Sequence, residues 1–172
     1  MSKPLLRTDK DLTEIYNRHS KMLYRICFAY MKNAADTEDA VQETFFRLIR
    51  KGPAFESSEH EKAWLIRTAE NICKNMLKHW WRKREDLEAH MELYTEDKDT
   101  ADILSAIFNL PDKYKTVVYL YYFEGYNNAE IAEILKKPSS TIRNHLREAR
   151  LLLRDRLDDS FEMKGDDQNV KQ

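Results

Sequence analysis

The sequence predicts an all-α protein made of two small helical domains joined by an acidic linker. Three observations carry this. The 172 residues include only 3 glycines and 4 prolines, so turn-forming residues are scarce. Apolar residues recur at steps of three and four, the period of a helix with one buried face. The stretch from Glu85 to Asp102 holds eight acids against one lysine and is only weakly periodic, so it reads as a tether between domain-sized parts.

Composition excludes several classes. No segment is apolar enough for long enough to span a bilayer. The start, MSKPLLRTDKDL, lacks an apolar core of signal-peptide length, so a cytoplasmic protein is expected. Net charge is −1, which says nothing about nucleic acid until the charges are placed. Cys27 and Cys73 sit in apolar helical stretches and form no CxxC, so they read as buried thiols. Asp97, Asp99 and Asp102 resemble a calcium loop only loosely, because the loop glycine and distal Glu are missing.

The first helix is expected over about Asp9 to Met31. Leu12, Ile15, Tyr16, His19, Met22, Leu23, Ile26 and Tyr30 form its apolar face, and Thr8 or Asp9 caps it. His19 reads as a satisfied histidine at the edge of the core. The second helix is expected over Ala35 to Lys51, with Ala40, Val41, Thr44, Phe45, Leu48 and Ile49 buried. Asp36, Asp39 and Glu43 share one of its faces. That face is open to three readings: a carboxylate or metal site, a solvated helix start favoured by the dipole, or an acidic surface for a basic partner helix.

Gly52-Pro53 stops the second helix. Ser58 and Glu61 fit a capping box for a third helix reaching Arg84. Trp64, Leu65, Ala69, Ile72, Cys73, Met76 and Leu77 supply its core face. From Lys74 to Arg84 the charges are all basic, and His79 and two tryptophans are interleaved. Basic groups neutralise phosphates and aromatic rings stack on exposed bases, a mixture suited to unpaired DNA. The plain alternative is an amphipathic helix with its tryptophans in the core.

The second half opens with a short helix around Ile103, Leu104, Ile107 and Phe108. Pro111 fits the first turn of the next helix, which ends at Gly125. Then Ile131, Ala132, Ile134 and Leu135 mark a short helix, Lys136 to Ser140 a tight break, and Ile142, Leu146, Ala149 and Leu153 the inner face of a last helix. Thr141, Arg143, Asn144, Arg147 and Arg150 remain on its other faces. A short helix, a tight turn and a helix with an Arg/Asn/Thr outer surface form the pattern of a helix-turn-helix. Arg forks onto guanine and Asn onto adenine in the major groove. Residues 158–172 are expected to be a disordered polar tail.

Taken in order, three stretches resemble the extracytoplasmic-function sigma factors of the sigma-70 family. They are DTEDAVQETFFRL (36–48), AWLIRTAENICKN (63–75), and LPDKYKTVVYLYYFEGYNNAEIAEIL (110–135) with TIRNHLREAR (141–150). The resemblance covers about residues 9–157. It implies sigma region 2, a helical bundle, over 9–84, an acidic linker over 85–100, and sigma region 4, a helix-turn-helix domain, over 101–157.

The resemblance also implies a function without catalysis, cofactor, metal or small-molecule substrate. The chain would bind core RNA polymerase, recognise the −35 and −10 promoter elements and promote strand opening. Asp36, Asp39, Gln42, Glu43, Phe45, Phe46 and Arg47 would dock on the β′ clamp helices, and region 4 on the β flap. Phe55, Ser57, Ser58, Arg67, Asn71, Lys74, Asn75, Lys78, His79, Trp81, Arg82, Lys83 and Arg84 would meet the −10 element, the loop from Phe55 to His60 receiving a flipped base. Ser139, Ser140, Thr141, Arg143, Asn144, His145, Arg147 and Arg150 would meet the −35 element. An anti-sigma factor, often membrane-bound in this family, would hold the protein inactive.

The sequence departs from the family in places. Lys136 and Ser140 stand where glycines are usual, so a different local backbone is expected at the turn. Asn144 and His145 should alter −35 preference. Glu56 and Glu59 put acids in the loop for the flipped base. Two other readings remain: a helix-turn-helix regulator with a helical sensor half, and a helical metalloenzyme using Asp36, Asp39 and Glu43.

Overall fold

The computed structural model describes residues 7–80 and 98–154. Among these the chain forms seven helices and no strand: α1 (Asp9–Met31), α2 (Ala34–Lys51), α3 (Ser58–Trp80), α4 (Lys98–Phe108), α5 (Asp112–Tyr122), α6 (Asn128–Leu135) and α7 (Ser139–Arg154). Trp81 to Arg84, most of the acidic linker and the polar tail lie outside the described residues.

Local chemistry sets the helix ends. Thr8 caps α1: its Oγ1 accepts from Asp11 N at 3.2 Å, and its own N–H donates to Asp11 Oδ2 at 3.0 Å. Asn33 caps α2 by accepting from Asp36 N at 2.8 Å, which starts that helix at Ala34 and not at Ala35. Ser57, not Ser58, caps α3: Ser57 Oγ accepts from His60 N at 3.1 Å, and Glu61 turns inward to His19. Pro111 and Pro138 precede α5 and α7 and are not in their first turns. Pro138 offers its carbonyl to Thr141 and Ile142.

Helices α1, α2 and α3 pack into one bundle around Leu23, Ile26, Cys27, Ala40, Leu48, Leu65, Ile66, Ala69 and Cys73. Both cysteines are free and buried. The Cys73 thiol is pushed well up by its contact with Cys27 and by burial. His19 is buried and lies 2.8 Å from Glu61 Oε1, the satisfied histidine expected. At the end of α2 the backbone leaves no room for a side chain, since a Cβ on Gly52 would sit 2.4 Å from the Leu48 carbonyl oxygen. The Arg7 guanidinium fills that corner, donating to Leu48 O and Gly52 O at 3.3 Å and to Pro53 O at 2.5 Å.

Helices α4 to α7 form the second bundle. Its core includes Leu104, Ile107, Val117, Leu120, Ile131, Leu135, Ile142, Leu146, Ala149 and Leu153. Each fully buried Leu, Ile or Val contributes roughly 1.5–3 kcal/mol, so α7 is held mainly by its inner stripe. Helix α4 begins at Lys98, inside the stretch expected to be linker. The two bundles touch: α1 lies against α4 and α5, and α3 against α6. The Phe28 and Phe108 rings meet there at 5.2 Å.

Candidate functional site

The outer face of α2 carries the first set of candidate residues. Asp39 and Gln42 are exposed, and Phe46 is 52% exposed. Glu43 is half-buried and pairs with Arg47 at 3.1 Å and Arg50 at 3.5 Å. Asp36 is engaged with the cap, accepting from Asn33 Nδ2 at 2.7 Å. Phe45 lies against Tyr16 of α1 at 5.0 Å. Two side chains expected in the core are not there: Tyr16 is 50% and Ile49 47% exposed. With Phe46 they give this acidic face an apolar component. Ile49 lies three residues after Phe46, so helical spacing could have found it. Among the described residues no three His, Cys, Asp or Glu side chains come together to hold a metal.

The second set lies along α3 and the loop before it. Asn71, Asn75, Lys78 and His79 form an exposed row. Lys74 is partly buried and paired with Glu70 at 2.6 Å. Arg67 is also half-buried and donates to the Ile134 carbonyl of α6 at 2.7 Å; burial lowers its pKa. In the loop, Phe55 packs between His60 at 5.3 Å and Trp64 at 5.9 Å, with the Arg7 guanidinium 5.0 Å above it. Ser57 is taken up by its cap, while Ser58 is exposed.

The third set lies on α7. Ile142, Leu146, Ala149 and Leu153 are buried as the spacing predicts. Ser139, Ser140, Arg143, Asn144 and Arg147 are exposed, and Ser140, Arg143, Asn144 and Arg147 follow one face. Thr141 is half-buried. His145 stands edge-on to Tyr114 at 5.5 Å; burial, then the charge of Lys137, lowers its pKa. Arg150 folds back to α5, 5.4 Å above the Tyr121 ring and 3.4 Å from Tyr122 Oη. The turn before α7 has a left-handed backbone, with Lys136 at φ 52°. Lysine there adopts a conformation that glycine reaches at less cost.

A bundle with an acidic and apolar outer face, joined to a helix-turn-helix whose second helix exposes Arg and Asn, defines a two-domain helical DNA-binding protein. Family models for sigma-70 region 2 and sigma-70, region 4 match residues 15–84 and 100–153. The chain is 33% identical over 142 residues to the RNA polymerase sigma factor SigV of Bacillus subtilis, covering 79% of this chain and 84% of that one. It is 28% identical over 180 residues to the ECF RNA polymerase sigma factor SigW of the same organism, covering 91% and 95%. Its fold is similar to that of the sigma factor RpoE of Bartonella quintana, solved in complex with the anti-sigma factor NepR. The TM-score is 0.70 at 21% identity, over 85% of this chain and 96% of that one.

The chain belongs to the sigma-70 family and is a sigma factor of its extracytoplasmic-function group. It is a promoter-recognising initiation factor whose partners are core RNA polymerase and promoter DNA. Sigma factors act without catalysing a reaction; the polymerase does the chemistry.

Proposed function

We propose that the three faces divide the work of a sigma factor. The face of α2, with Asp39, Gln42, Glu43, Phe46 and Ile49, docks on the β′ clamp helices. Anionic side chains attract a basic partner helix, and the apolar side chains among them gain affinity when water leaves. The exposed row of α3, with Arg67 and the basic run to Arg84, meets the −10 element and stabilises its opened strand. The outer face of α7 enters the major groove at the −35 element. There Arg143 and Arg147 suit guanine and Asn144 suits adenine.

Each contact alone is weak. Both bundles on one chain raise the effective concentration of each for its element. Affinity for promoter DNA should fall steeply with salt, because phosphate contacts release counterions. The chain itself has no enzymatic activity in this reading. It works in the cytoplasm, where an anti-sigma factor, membrane-bound or not, holds it inactive. No helix among the described residues is long and apolar enough to cross a membrane.

The observation that carries the reading is α7, whose inner stripe is fully used by packing while Arg143, Asn144 and Arg147 stand free of the fold. Transcription by purified core polymerase on fragmented genomic DNA of the source organism tests it. New start sites sharing two spaced upstream motifs are expected with this chain. Core binding without new starts would remove the promoter-reading assignments.

A further inference from the structure

The loop before α3 is held from a distance. Arg7 precedes the first helix, yet its guanidinium donates to three carbonyls 41 to 46 residues later, those of Leu48, Gly52 and Pro53. Gly52 makes room for it, since a Cβ there would sit 2.8 Å from Arg7 Nη1. The same guanidinium covers the Phe55 ring. His60 stands edge-on to that ring and Trp64 lies tilted against it. His60 is itself fixed, because its N–H donates to Ser57 Oγ at 3.1 Å and its Nδ1 accepts from Glu56 N at 3.3 Å. Phe55, His60 and Trp64 are all half-buried, so each keeps part of its surface open.

The three rings continue the exposed row of α3. Trp64, Asn71 and Lys78 follow at steps of seven, two helical turns each, so they share one face over about 21 Å. A strand laid along that face meets the aromatic rings at one end and Asn71, Asn75 and Lys78 beyond them. Unpaired bases stack on aromatic rings, at roughly 1–3 kcal/mol for each base. A loop that is ordered only on binding loses part of that gain.

We propose that Arg7 is a positioning residue for promoter opening: it sets the loop beforehand in the form that takes an unpaired base of the −10 element against Phe55; this rests on the loop and α3 meeting that element. Arg7 acts through the loop backbone and the Phe55 ring, not on the base. Arginine suits the task because its planar fork bonds several carbonyls and stacks on a ring at once, which the compact ammonium of lysine does not.

The test uses the full chain assembled with core polymerase. The probes are single strands carrying the −10 element of a promoter found by start-site mapping, with each nucleotide in turn made abasic. Binding is read by fluorescence anisotropy. With the native chain, one position should lose about tenfold in affinity when its base is removed. Arg7→Lys keeps the charge, so general attraction to phosphates is retained. It should shrink that loss to about twofold, by weakening binding of the intact strand while the abasic strand binds as before.

Phe55→Leu leaves the carbonyl bonds of Arg7 in place and should shrink the loss in the same way. The double variant should go no further than either single one, because both act on one contact. Equal weakening of intact and abasic strands by Arg7→Lys would make Arg7 a support of the fold alone and overturn the proposal, as would additive effects in the double variant. A base-sensitive position that Arg7→Lys leaves untouched would also overturn it. The absence of any base-sensitive position with the native chain is a different result: it would remove the −10 assignment of the loop and α3, and the role of Arg7 with it.

Discussion

Tyr114 of α5 donates its hydroxyl to Glu148 Oε2 of α7 at 2.5 Å, while its ring stands edge-on to His145 at 5.5 Å. One side chain thus grips the recognition helix at two points three residues apart. The grip sets the roll of α7, and with it the direction in which Arg143 and Arg147 face.

The hydrogen bond from Tyr114, then the charge of Lys113, holds the Glu148 carboxyl below its usual value of 4.5. A group with a depressed pKa stabilises the fold above its unfolded value, and that contribution disappears as pH falls through the folded value. Tyr114→Phe should therefore flatten the acid side of the stability profile. Urea unfolding of both chains between about pH 7 and about pH 3 measures this. Parallel profiles would show that the contact has no such effect.

Arg143→Ala should cost roughly 1–3 kcal/mol of discrimination at one −35 base pair and leave the other positions ranked as before. Transcription from a set of promoter variants reads this directly. An unaltered ranking at every position would take Arg143 out of base recognition.

Asp39→Ala combined with Glu43→Ala should weaken core polymerase binding by about tenfold, a loss of ~1.4 kcal/mol. Thermal stability should change by less than about 0.5 kcal/mol, because neither side chain supports the core. Affinity capture with purified core enzyme decides it, and equal retention would reject docking through α2.

Ile49 offers a sharper check of the same face. At 47% exposure, Ile49→Ala should leave stability within about 1 kcal/mol, well short of the roughly 2–5 kcal/mol that truncating a buried isoleucine costs. Its effect should appear in polymerase binding. A large loss of stability with unchanged binding would return Ile49 to the core.

Lys136→Gly should stabilise the second bundle by about 1 kcal/mol, since a left-handed lysine at φ 52° carries a cost that glycine avoids. Denaturant unfolding of the full chain would show a higher midpoint. A lower midpoint would mean that the lysine side chain contributes more than its backbone costs.

Much of the fold is legible because one rule dominates it. Ile142, Leu146, Ala149 and Leu153 recur at the helical period, and packing gives that period one outcome. The rule fails at the margins of a stripe. Tyr16 and Ile49 fit the buried spacing, but the neighbouring helices do not reach far enough round to cover them. It also fails where burial depends on a distant carbonyl. Nothing near Lys115 distinguishes it from a surface lysine, since its partner Ala29 lies 86 residues earlier in the chain. The candidate site divides the same way. Arg143, Asn144 and Arg147 could be read from the exposed side of one helix. The engagement of Arg67 with Ile134, of Asp36 with Asn33 and of Arg150 with Tyr121 and Tyr122 could not.

The corner at Arg7 ties the start of the described chain to the end of α2. A fragment begun at Asp9 would lose the Thr8 cap of α1 and also the guanidinium that caps the carbonyls of Leu48, Gly52 and Pro53. The end of α2 and the entry to the loop before α3 would then depend on water for those bonds. Trimming the chain to its secondary structure is therefore not neutral, because a residue outside every helix closes the end of one.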